Sequence, residues 1–176
     1  MELPGATYLY TLATLSVTFV GFSALVILVR QAFGGELSKL EILITRIFIQ
    51  LGFLVTAGSM LPPLLALFGW PESRIWRVAS LVTSIPVFIF AVTYPSRRRR
   101  ASGVATPIAI WADVIVLTAI TIMLFFSAFG IGVRAGAGPY AGSLTFVLCI
   151  AGYAFLQALN LLLRDHLERA SERRSA

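Results

Sequence analysis

Residues 107–132 read PIAIWADVIVLTAITIMLFFSAFGIG, and Asp113 is the one charged residue in this stretch. A helix needs about 20 mainly apolar residues to cross the roughly 30 Å hydrocarbon core of a bilayer. This stretch is therefore long and apolar enough to span a membrane, and four further segments share its character. The predicted spans are residues 7–29, 47–68, 75–94, 107–132 and 140–163.

The composition of the whole chain favours a membrane protein over a soluble one. Hydrophobic residues make up 58% of its 176 residues and charged residues only 12%, with a mean hydropathy of +0.88. Soluble domains contain about 25% charged residues, so too little polar surface is available here to cover a water-soluble globule. We predict one all-α domain over residues 1–176, an integral membrane bundle of five transmembrane helices with a short charged tail at 164–176.

The distribution of lysine and arginine between the predicted loops indicates the orientation, because cytoplasmic loops are enriched in both. Of the 14 such residues, eleven fall in the 30–46 loop, the 95–106 loop and the C-terminal tail, whereas three fall on the other side of the membrane. This bias predicts an N-terminus outside and a C-terminus in the cytoplasm. Compact loops and the lack of an organelle signal favour a bacterial inner (plasma) membrane.

The strongest charge feature is the run Arg97, Arg98, Arg99 and Arg100. It follows Pro95, which we expect to end the third helix. Such a run acts first as a topology determinant, and it can also hold anionic headgroups, with each charge contributing about 1 kcal/mol near the surface. The predicted partner is thus a lipid bilayer with anionic headgroups on the cytoplasmic side, and not nucleic acid.

Polar residues within or beside the spans gather at the cytoplasmic end. A charge inside a span costs on the order of 3 kcal/mol, so we expect these side chains to point inward and meet, with Asp113 paired to Arg46 or Arg164. Three interpretations stay open: a structural clamp with interhelical bonds of about 1 kcal/mol each, a vestibule that binds a cation or proton, or an Asp113 that reaches the interface. The predicted intramembrane cluster consists of Asp113, Arg46, Gln50, Gln157, Asn160 and Arg164.

The first helix has a narrow stripe of small and polar residues, spaced alternately by four and three. Such stripes let helices approach closely and form interhelical hydrogen bonds, and they can also line a wet path. We expect a helix-packing role. The stripe consists of Thr7, Thr11, Thr14, Thr18 and Gly21.

The residue types that catalysis and cofactor binding require are scarce within the spans. His166 is the only histidine, Lys39 the only lysine and Cys149 the only cysteine. This argues against multi-histidine metal sites, bis-histidine haem and a Schiff base inside the membrane. We therefore expect no metal, no cofactor and no enzymatic activity.

Two functions remain ahead of a third, an enzyme that acts on lipid at the cytoplasmic interface through Asp113, His166 and arginines, which ranks last because the spans contain no second well-placed carboxylate and no histidine. The first is a non-enzymatic accessory or scaffold subunit that packs with itself, as a homo-oligomer, or with a membrane partner. The alternative is a small channel or transporter for an ion or small solute, with a polar cytoplasmic vestibule around Asp113. Transport comes second because strong polarity is confined to the cytoplasmic leaflet, whereas a conduction path has to cross both leaflets.

Overall fold

The computed structural model describes residues 3–32, 39–102, 108–132 and 134–175, and these form five α-helices and no strand. Each helix contains a stretch of 19 to 30 residues that is long and apolar enough to cross a membrane. The prediction of an all-α chain with five helices of membrane-spanning length is thus confirmed. The helices are α1 (Ala6–Ala32), α2 (Lys39–Leu67), α3 (Glu72–Ser102), α4 (Ile108–Phe129) and α5 (Ala137–Ser175).

Helix α3 is longer than predicted, and the expectation that Pro95 ends it is wrong. The helix continues through Pro95 and the arginine run to Ser102, a length of 31 residues or about 46 Å at 1.5 Å per residue. A proline removes the hydrogen bond to the carbonyl four residues earlier, here Ala91, and transmembrane helices tolerate this loss. Because the hydrocarbon core takes only about 30 Å, the last turns of α3 can carry the arginines beyond it.

Helix α2 is the centre of the bundle. It packs against α1, α3 and α5, whereas α4 lies mainly against α3 and approaches α5 less closely. Gln50 in the first half of α2 bonds to Arg97 near the end of α3, and Gly58, further along α2, lies close to Thr83, which comes earlier on α3, so these two helices are antiparallel. We call the end that holds Gln50, Arg97 and Asp113 the basic end, and the end that holds Trp76 and Tyr140 the opposite end.

Helix α1 packs on α2 through a face of apolar and small residues. Leu9, Leu12 and Ser16 on this face are almost fully buried. The Ser16 hydroxyl donates to the backbone carbonyl of Gly52 over 2.7 Å. A Cβ at Gly52 would collide with the Val20 side chain, so the close approach of α1 to α2 depends on glycine at this position.

Candidate functional site

At the basic end, Asp113 lies beside Arg98 and not beside Arg46. Asp113 is half-buried on α4, and its charge interacts with that of Arg98 on α3. The Arg98 guanidinium also donates to the hydroxyl of Tyr94, one helical turn earlier. The helix extension explains this arrangement, because residues i and i+4 share a helix face and Arg98 therefore lies on the side that Tyr94 presents to α4.

The residues predicted to meet Asp113 were Arg46, Arg164, Gln157 and Asn160. Arg46 lies on α2 with an exposed side chain, and no approach of α2 to α4 occurs among the residues that the structure describes. The expected Asp113–Arg46 pair is therefore not formed. The side chain of Arg164 is outside the described residues. Gln157 is half-buried and Asn160 exposed on α5, and within the described part of the chain neither is hydrogen-bonded to Asp113.

The four consecutive arginines point in different directions, because neighbouring residues on an α-helix are about 100° apart. Arg97 faces α2, where its Nη1 donates to Oε1 of Gln50 over 3.3 Å. Arg98 faces α4, and Arg99 and Arg100 are exposed. Two of the predicted arginines therefore join the polar groups of the neighbouring helices, one on each side of α3.

An open cavity of about 550 Å³ lies between α2 and α3. Its lining is mostly apolar, and Gln50 and Arg97 stand at its basic end. Asp113 is not among the residues that line it. The predicted polar vestibule around Asp113 is thus not this cavity.

The stripe on α1 faces away from the bundle. All five of its residues are exposed. The hydroxyls of Thr11, Thr14 and Thr18 each donate to the carbonyl four residues earlier on α1, over 2.8 to 3.0 Å. With their hydroxyls bonded in this way, the threonines offer mainly carbon to whatever lies against them. Among the residues that the structure describes, the stripe does not pack against another helix, so a packing role for it requires a helix from elsewhere.

At the opposite end, a buried polar contact joins three helices, and our sequence reasoning missed it. The Tyr140 hydroxyl on α5 donates to the carbonyl of Gly58 on α2 over 2.7 Å and lies 2.8 Å from the hydroxyl of Thr83 on α3. Since the one phenolic proton goes to Gly58, Thr83 donates to Tyr140. The sequence did contain a signal: Pro62 lacks the N–H that would normally bond to the Gly58 carbonyl, so that carbonyl needs a donor from another helix.

Five helices of this length and composition indicate a multi-pass α-helical membrane protein. No protein-family model matches the chain, and no curated protein or solved structure is significantly similar to it.

Proposed function

We propose that this chain is a non-enzymatic accessory or scaffold subunit of a bacterial inner membrane. It packs with a second copy, or with a membrane partner, through the exposed stripe of α1. The observation that carries the proposal is the outward direction of this stripe, in which the hydroxyls of Thr11, Thr14 and Thr18 bond to their own helix instead of to a neighbour.

The shape of the α1 surface supports this role. Tyr10 and Val17 stand on one side of the stripe, Leu15 and Phe22 on the other, and all four are exposed. The stripe is therefore a shallow channel between two ridges of large side chains. Lipid tails are as apolar as these side chains, so helices associate in membranes mainly by close packing, and small residues allow that packing.

The space around Gly21 supports close approach of a neighbouring helix. A Cβ built at Gly21 meets nothing within 4 Å in the chain itself. A helix laid in the channel can approach the α1 backbone closely at this point. At Gly52, by contrast, the Val20 side chain fills the space. Gly52 therefore allows packing within the bundle, whereas the space at Gly21 is available to a helix from outside it.

Photo-cross-linking tests the proposed seam. A photoreactive amino acid replaces Thr18 on the stripe or, as a matched control, the exposed Ile122 on α4. We expect a discrete adduct from position 18 in native membranes, and none from position 122. Discrete adducts from both positions, or none from position 18, would contradict packing through α1. The adduct mass distinguishes a second copy from another protein.

The proposed orientation places the basic end in the cytoplasm and the N-terminus outside. The excess of arginine at the basic end supports it, since cytoplasmic flanks are enriched in such residues. In a Cys149→Ser background, a membrane-impermeant thiol reagent added to intact cells should label Arg134→Cys and spare Arg100→Cys. The reverse labelling pattern would invert the topology.

A further inference from the structure

We propose that the cavity between α2 and α3 holds one acyl chain of an anionic phospholipid whose phosphate binds Arg97. This inference does not depend on the α1 seam, because it concerns another face of the bundle.

The cavity has the form of a groove along two facing helix stripes. On α2 the lining residues recur at helical spacing from Gln50 to Leu61, and on α3 they recur from Val82 to Arg97. From Val82 to Arg97 the α3 side of the groove is about 22 Å long, at 1.5 Å per residue. One leaflet of the bilayer accounts for only about half of the roughly 30 Å hydrocarbon core. The groove is thus long enough for an extended acyl chain. Its volume of about 550 Å³ also lies within the range of about 300–1,000 Å³ that is usual for small-molecule sites.

The wall of the groove is apolar even where polar residues contribute to it. Gly58 and Thr83 line its far end, but the carbonyl of the first accepts from Tyr140 and the hydroxyl of the second donates to it. These groups are already hydrogen-bonded, so a hydrocarbon chain can lie against them without leaving a buried polar atom unpaired.

Charge is concentrated at the basic end of the groove. Arg97 is the one member of the arginine run that lines it, and its bond to Gln50 is with a neutral amide, which leaves the positive charge available. A guanidinium has several N–H donors in a planar fork and can bind a phosphate while keeping such a bond. Arg98 is directed instead toward Tyr94 and Asp113.

The same charge explains why the lipid should be anionic. A zwitterionic headgroup carries its own cation, which the neighbouring arginines repel, whereas phosphatidylglycerol has none. The proposed site therefore combines one apolar groove with one positively charged mouth, and both parts contribute to binding.

Native mass spectrometry of the full chain in detergent tests the site by titration with phosphatidylglycerol or phosphatidylcholine. Arg97→Gln and Arg100→Gln each remove one charge from the same run, but only the first touches the groove. We expect Arg97→Gln to weaken phosphatidylglycerol binding about tenfold or more, the effect of losing a charge-assisted hydrogen bond to the phosphate, and Arg100→Gln to weaken it at most about fivefold, the effect of one basic residue near a membrane surface. Equal losses would mean diffuse attraction and would overturn the proposal.

Ala57→Phe tests the groove itself. Ala57 lines the groove and is exposed, so a phenylalanine there blocks the acyl chain while leaving the core and Arg97 in place. We expect dioleoyl phosphatidylglycerol to bind no better than its dihexanoyl analogue in this variant, and clearly better in the wild type. Unchanged preference for the long chain would overturn the acyl-chain part of the proposal. A thermal melt of each variant verifies that it is folded.

Discussion

Removal of the Tyr140 hydroxyl should destabilise the bundle in a way that depends on a proline in another helix. Tyr140 is 1% exposed, and Tyr140→Phe removes both its bond to the Gly58 carbonyl and its bond to Thr83. The Thr83 hydroxyl can turn to a carbonyl of its own helix. The Gly58 carbonyl has no replacement donor in the next turn of its own helix, because Pro62 has no N–H.

The expected magnitude follows from these partners. A buried group left without its hydrogen bond costs about 1–3 kcal/mol, and interhelical hydrogen bonds in membranes average about 0.6 kcal/mol with a maximum near 1.7. We therefore expect Tyr140→Phe to lower the free energy of unfolding by about 1.5 kcal/mol. Thr83→Val should lower it by less, because the bond from Tyr140 to Gly58 persists.

A double-mutant cycle isolates the role of the proline. Pro62→Ala restores an N–H that can reach the Gly58 carbonyl, so the cost of Tyr140→Phe should fall to about 0.5 kcal/mol in that background. The assay is reversible unfolding in mixed micelles of dodecyl maltoside and sodium dodecyl sulfate, followed by circular dichroism. An equal cost of Tyr140→Phe with and without Pro62 would refute the reasoning.

Three further outcomes are expected. Gly52→Ala should lower the free energy of unfolding by about 1–3 kcal/mol, as overpacking of a tight contact does, and an unchanged melting curve would show that α1 and α2 can separate at little cost. Arg98→Gln should lower the free energy of unfolding by at most about 1 kcal/mol, since Asp113 is only half-buried and its interaction with Arg98 is partly screened. Arg100→Gln, measured by the same unfolding assay, should leave the free energy of unfolding unchanged. Equal effects of the two substitutions would contradict a specific role for Arg98. In proteoliposomes, proton and cation flux should stay at the background of empty vesicles for both the wild type and Asp113→Asn. A flux that the wild type supports and Asp113→Asn abolishes would instead favour the channel or transporter alternative.

Hydropathy and length were sufficient to predict five helices, because both are local properties of the chain. They did not predict the end of α3. A proline rule derived mainly from soluble helices placed the end at Pro95, whereas the helix continues to Ser102. That extension in turn decides where Arg97 and Arg98 point.

Which helices are neighbours could not be predicted from the sequence. In water, an apolar stripe marks the buried face of a helix, but in lipid both faces are apolar. The α1 stripe at Thr14 and Thr18 and the buried face at Leu12 and Ser16 were therefore hard to tell apart by hydrophobicity. The partner of Asp113 was missed for the same reason: the pairing with Arg46 required α2 and α4 to be adjacent, and the described parts of these helices do not approach each other.

Some of the site was nevertheless within reach of sequence reasoning. The sequence singled out Asp113 and Gln50 as polar residues at this end, but not their contacts: each interacts with a different member of the arginine run, on opposite sides of α3, and not with the other. The contact of Tyr140 with Gly58 could also have been anticipated, since a proline four residues after Gly58 leaves a carbonyl that another helix must satisfy.

The most direct test of the α1 seam is the yield of the photo-adduct from position 18 in two glycine variants. Gly21→Leu fills the channel on α1, whereas Gly152→Leu places the same side chain on α5; a Cβ at either position meets nothing within 4 Å in the chain. We predict that Gly21→Leu abolishes the adduct and that Gly152→Leu leaves it at the wild-type level. An adduct that survives Gly21→Leu unchanged would contradict the claim that this chain packs with its partner through α1.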